Sequence, residues 1–167
     1  MKWHIGAIAE ALTNECAIAE LDNGTVVMNA RDYVGQASHT AHRSISWSND
    51  GGESLSAGYL APSLPDPIVE GAMAADAAGK LLVFTHPNSE ATRDHMTAFS
   101  SADGGVTWLP AVLLDAGASA YSSVVALRNG SYAVQFDVGT THMHRCNAPP
   151  AGRGCGETFA IITFDAW

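Results

Sequence analysis

Two carboxylates and a phenol open the same recurring frame of this chain, which makes proton transfer between them the first chemistry to consider. Glu15 leads CAIAELDN, Gly24 and TVVMNAR to Arg31; Glu70 leads GAMAADAA, Gly79 and KLLVFTH to His86; Tyr121 leads SSVVALRN, Gly130 and SYAVQFD to Asp137. A phenol ordinarily titrates near pH ~10, so it becomes a nucleophile near neutrality only with a base beside it. A second group, His142, His144, Cys146 and Cys155, reads H-x-H-x-C with a further cysteine beyond. Four such ligands could hold zinc, but their spacing fits no familiar finger. The plainer reading is no metal, and a solvated loop around NAPPAGRG that a disulfide closes if the compartment is oxidising.

These residues need elements to position them. The three frames start 55 and 51 residues apart, and four-stranded repeats of roughly 40 to 50 residues are the signature of propeller blades. Short runs such as TVVMNA, RSISWS, LLVFTH, SVVAL and YAVQF are rich in β-branched and aromatic residues, and DNG, AAG and RNG supply hairpin turns between them. The fold expected is all-β, about three four-stranded blades of a β-propeller, with repeats near 15–60, 70–113 and 121–164. The first strand of a blade lines the central channel, so Glu15, Glu70 and Tyr121 are expected at one mouth. SNDGGESL and SADGGVTW, 53 residues apart, read as structural turns. Trp47 and Trp108 read as packing residues, Cys16 as a small buried side chain and Arg43 as structural.

A net charge of −9 with eight Lys and Arg and no basic run argues against a nucleic-acid partner. Apolar runs such as LLVF fall far short of the ~20 residues of a membrane helix. The opening MKWHIGAIAEALTNE does not read as a signal peptide, and the compartment stays open. Three blades leave two raw edges, so the expectation is a half that is completed by a missing N-terminal portion or by a second copy in a homodimer.

SADGGVTW, with Ser101, Asp103, Gly105, Thr107 and Trp108, resembles the Asp box S-x-D-x-G-x-T-W; the earlier copy keeps Ser48, Asp50 and Gly52 but carries Ser54 and Leu55 for Thr and Trp. TNEC at 13–16, MNAR at 28–31, Arg93 before the second box and AYSS at 120–123 follow in the order found in sialidases. The chain therefore resembles the C-terminal half of the six-bladed exo-α-sialidase (neuraminidase) propeller.

That resemblance implies Tyr121 as nucleophile, Glu15 as its base, and Arg31 and Arg93 as two of three arginines that grip the substrate carboxylate. A neutral phenol approaches an anomeric carbon bearing a carboxylate with less repulsion than an anionic nucleophile would, and a tyrosine nucleophile is the known sialidase departure from the two-carboxylate scheme. Glu70 is expected to face the sugar's polar tail or to cap a strand. The implied function is release of terminal sialic acid from glycoproteins, glycolipids or oligosaccharides with retention and no cofactor; the alternative is a sialoside-binding or structural half without turnover. The sialidase arginine of R-I-P and the Asp acid/base have no match, Ser123 stands where Asp often follows Tyr-Ser, and Phe136–Asp137 replaces an aromatic–Glu pair.

Overall fold

The computed structural model describes residues 2–33, 41–139 and 158–165, and every regular element among them is a strand. In order these are β1 (Thr13–Glu20), β2 (Val26–Asp32), β3 (His42–Ser48), β4 (Tyr59–Pro65), β5 (Ala72–Ala75), β6 (Leu82–Pro87), β7 (Asp94–Ser101), β8 (Leu109–Ala126), β9 (Ser131–Val138) and β10 (Thr158–Asp165). They form a partial β-propeller: one sheet ordered β1-β2-β3-β4 and a second ordered β10-β9-β8-β7-β6-β5, antiparallel throughout.

The hairpin turns share one construction. Leu21, Asp76 and Leu127 each accept the N–H of the glycine three residues on and donate their own N–H to Thr25, Leu81 and Ser131 respectively. Gly24, Gly79 and Gly130 close these turns at φ 81°, 67° and 88°, a region in which a side chain would clash with its own backbone. The three frames seen in the sequence are thus three copies of one hairpin.

The third blade departs from the expected pattern. The sequence reading separates a strand ending near 113 from one opening at 121, whereas β8 runs unbroken for 18 residues. Its first part pairs with β7 as far as Ala118, and the remainder pairs with β9 from Ser119. The stretch Ala116–Ala120 contains no turn-forming pair of residues that would fold the chain back. Three strands of this blade lie among the described residues, where four are expected.

Packing explains the apolar run of β6. Leu82 and Phe84 join Val27, Ile45, Leu64, Phe99 and Trp108 in the core between the first two blades, while Val83 faces the other way with Ala98 and Tyr132. Met96, Val134 and Phe136 continue this second layer. A strand covered on both faces loses the polar alternation of a half-exposed one. Expected as buried, Cys16 is instead exposed, as are Ile18 and Glu20 further along β1.

Both Asp boxes form the same turn. Ser48 donates to Asp50 and accepts the Gly52 N–H at 2.8 Å each, and Ser101 does the same with Asp103 and Gly105 at 2.9 Å each. Ser54 and Thr107 both donate hydroxyl protons to their box aspartate at 2.6 Å. The first copy therefore keeps its polar scaffold and loses only the tryptophan. These bonds, Ser54's first, hold Asp50 down to about 2.

Candidate active site

Glu15 and Tyr121 occupy matching defects in the first strands of their blades. Pairing of β1 jumps from Asn14–Arg31 to Ala17–Asn29, setting Glu15 and Cys16 against Ala30 alone. Pairing of β8 jumps from Ser119–Val138 to Ser122–Phe136, setting Ala120 and Tyr121 against Asp137 alone. Two residues opposite one make a β-bulge, which bends the strand and re-aims a side chain. Glu15 further adopts φ 42°, an uncommon left-handed conformation for a residue with a side chain.

From Glu15 a run of contacts leads across the site. Arg31 Nη1 lies 2.5 Å from Glu15 Oε2. The rest of that guanidinium donates to Asn14 Oδ1 at 2.8 Å, to the Tyr33 hydroxyl at 2.6 Å and, from Nη1, to the Ile68 carbonyl at 3.5 Å. Arg93 Nη2 donates to that same carbonyl at 2.7 Å. The Arg93 guanidinium in turn lies 5.7 Å from the ring centroid of Tyr121, within reach of a cation–π attraction. Arg93 is brought there by its own carbonyl, which accepts the Ser119 N–H at 2.9 Å. Tyr121 remains 41% exposed.

Glu70 bridges two blades. Preceding β5, it reaches β8, where Oε2 accepts the Ser122 N–H at 2.9 Å beside the Tyr121 bulge. Ser122 is also held through its hydroxyl, which donates to the Thr85 carbonyl and accepts from the Thr85 hydroxyl, both at 2.9 Å. Burial pushes the Glu70 carboxyl upward, the Ser122 N–H and Arg43 pull it down, and nearby Glu15 and Asp137 push it up again, leaving it above its ordinary 4.5.

Beneath these residues lies a buried polar cluster. Arg43 is fully buried and donates to Asn29 Oδ1 and the Val69 carbonyl at 2.7 Å each, and to the Glu15 carbonyl at 3.4 Å. Its Nη1 sits 3.4 Å from Asp66 Oδ2, and His86 Nε2 lies 3.4 Å from Asp66 Oδ1. Burial raises the Asp66 carboxyl, but His86, Arg43 and the Val69 N–H outweigh it and hold it at about 2. Burial also pushes His86 below its ordinary 6.5, so it is neutral at pH 7.

The structure gathers Glu15, Arg31, Arg93 and Tyr121 along one run of contacts, with Glu70 alongside. Sequence reasoning missed Asn14, Tyr33, Asp66, Ile68 and Ser122. PDP at 65–67 was a usable turn signal for Asp66, while the Ile68 contribution is a backbone carbonyl that no residue type announces. Among the described residues no group of three or more His, Cys, Asp or Glu is placed to hold a metal; His142, His144, Cys146 and Cys155 lie outside them. An open depression of about 260 Å³ lined by Asn88, His95, Thr97 and Pro110–Leu113 contains none of the site residues.

Comparison with known proteins places the chain in a family. The BNR repeat-like domain family matches residues 1–134. The chain belongs to that family, among the sialidases. This sialidase-family chain is 29% identical over 146 residues to a sialidase of Micromonospora viridifaciens and 28% identical over 151 residues to one of Bacteroides fragilis (strain YCH46). The matches cover 83% and 84% of the chain but only 22% and 27% of those proteins. The solved structure of the Hadza microbial sialidase Hz136 superposes with a TM-score of 0.69 at 28% identity, over 81% of this chain and 27% of that one. The chain thus spans about a quarter of the relatives it matches.

Proposed function

We propose that this chain supplies the nucleophile, its base and two carboxylate-binding arginines of an exo-α-sialidase acting on sialylated glycoproteins, glycolipids or oligosaccharides. The observation that carries the reading is the run from Glu15 through Arg31, the Ile68 carbonyl and Arg93 to Tyr121. Arg31 and Arg93 hold the sugar carboxylate as forked donors. Tyr121 attacks the anomeric carbon while its phenolic proton passes to Glu15; the bond to the aglycone breaks, and the departing oxygen is protonated by an acid or by water. Water then displaces the tyrosine, which recovers its proton, and two inversions give retention.

Hydrolysis of a fluorogenic α-sialoside by the 167-residue chain and by Tyr121→Phe tests this. An aryl leaving group needs little proton assistance. Turnover that collapses in the variant supports the assignment; no turnover by the folded chain rejects the chain as an enzyme on its own.

A second reading is sialoside binding without turnover, for which the Arg31 and Arg93 pair meeting at the Ile68 carbonyl would suffice. Either function is expected to draw on further blades or on a second copy, because apolar side chains such as Ile18 on β1 and Val125 on β8 stay exposed among the described residues. Sedimentation as a monomer would remove the second copy.

A further inference from the structure

The Ile68 carbonyl is an acceptor shared by two like charges from different sheets. Arg31 belongs to β2 of the first sheet, and Arg93 immediately precedes β7 of the second. Two guanidinium groups repel unless an acceptor lies between them, and the Ile68 oxygen supplies one at 3.5 Å from Arg31 and 2.7 Å from Arg93. That oxygen is aimed by an unusual backbone, since Ile68 adopts φ 60°. A left-handed conformation is strained for a β-branched residue and persists only where the surroundings impose it.

Asp66 imposes it. Its Oδ1 accepts the N–H of Ile68 at 2.8 Å and of Val69 at 3.2 Å, and its own N–H is tied to the Ala41 carbonyl at 2.7 Å. The other oxygen faces Arg43, which also grips the Val69 carbonyl. Asp66 is 1% exposed and cannot touch a ligand. We infer that Asp66 is a positioning residue for the carboxylate grip: by turning the Ile68 carbonyl toward both guanidinium groups, it fixes the spacing at which Arg31 and Arg93 meet one substrate carboxylate. The inference rests on the reading of those arginines given above.

Two readouts on the 167-residue chain test it. The first needs no ligand: side-chain NMR of Arg31 and Arg93, whose guanidinium rotation is slowed when their N–H groups are held. The second is affinity for methyl α-sialoside against its carboxyl methyl ester, which keeps the sugar and removes the charge. Asp66→Ala should free the guanidinium rotation and lower the acid-over-ester preference by about tenfold, the loss of one hydrogen bond to a charged group. Ester affinity should hardly change, whereas a merely structural loss would weaken both ligands alike. Asp66→Asn, which keeps an acceptor, should restore part of the preference. Ile68→Gly keeps the buried charges but frees the carbonyl; it should lose part of the preference while staying folded, and it decides the matter if Asp66→Ala does not fold. Held guanidinium signals and an undiminished preference in the folded variants would overturn the inference. If the wild-type chain binds neither ligand, the carboxylate reading fails, and the NMR signals alone decide whether Asp66 sets the arginine pair.

Discussion

The Glu15 carboxylate and the Arg31 guanidinium stand 2.5 Å apart, joining the bulge of β1 to the end of β2. In the proposed reaction Arg31 must also accept the sugar carboxylate, so the two anions compete for one cation. Glu15→Gln removes a competitor together with the base. Methyl α-sialoside is expected to bind this variant several-fold more tightly by calorimetry, while hydrolysis of the aryl sialoside falls by about 10²-fold or more. Equal losses in both would mean that Glu15 serves only to hold Arg31.

The charge on Glu70 should weigh against folding at neutral pH. Because its folded pKa lies above 4.5, the folded chain holds this proton more tightly than the unfolded one, and the resulting stability is lost as pH rises. Glu70→Gln keeps an acceptor for the Ser122 N–H without the charge. Its melting temperature should exceed that of the parent at pH 7, with the difference closing by pH ~4. An unchanged melting temperature at pH 7 would argue against a net cost of the buried charge.

Acid should act through the cluster below. His86 is held below 6.5, so the unfolded chain takes up its proton first and stability begins to fall below that pH. Asp66, at about 2 against an ordinary 3.8, contributes about 2 kcal/mol above its unfolded value and loses it as pH falls through about 2. The urea midpoint should therefore decline below pH ~6.5 and drop more steeply below pH ~4. A His86→Gln variant should lack the first phase.

The two Asp boxes should differ in what their loss costs. Trp108, 1% exposed, joins Phe84 in the core and donates its indole N–H to the Gly105 carbonyl at 2.9 Å. Trp108→Ala should destabilise the chain by about 3–5 kcal/mol in urea titration. Ser54→Ala removes a hydroxyl bond at an exposed turn and should cost about 1 kcal/mol. Similar losses would contradict the division of labour between core and turn.

What the sequence made legible follows from how it encodes position. The recurring glycine nine residues after Glu15, Glu70 and Tyr121 marks turns that need φ above zero, and turns set register. That was sufficient to bring three side chains from separate blades to one place. The bulges could not be read the same way, because Asn14 to Ala17 and Ser119 to Ser122 contain nothing that demands an extra residue. The misjudged burial of Cys16 has a related origin: alternation says that two faces of β1 differ, not which one lacks a neighbour. Nor does residue type report that Ile68 works through its backbone.

The continuity of β8 ties the molecule's rim to its axis. A loop between blades would absorb added or missing residues, but a strand presents successive side chains to opposite sides. Along β8 the parity of the chain between Leu109 and Tyr121 is therefore itself a determinant of the site. One residue inserted there must be taken up by a new bulge, or it turns the phenol away from Arg93. Variation in length on this stretch is confined to what bulges can absorb, while the Gly130 hairpin tip, with open space around it, has room to grow.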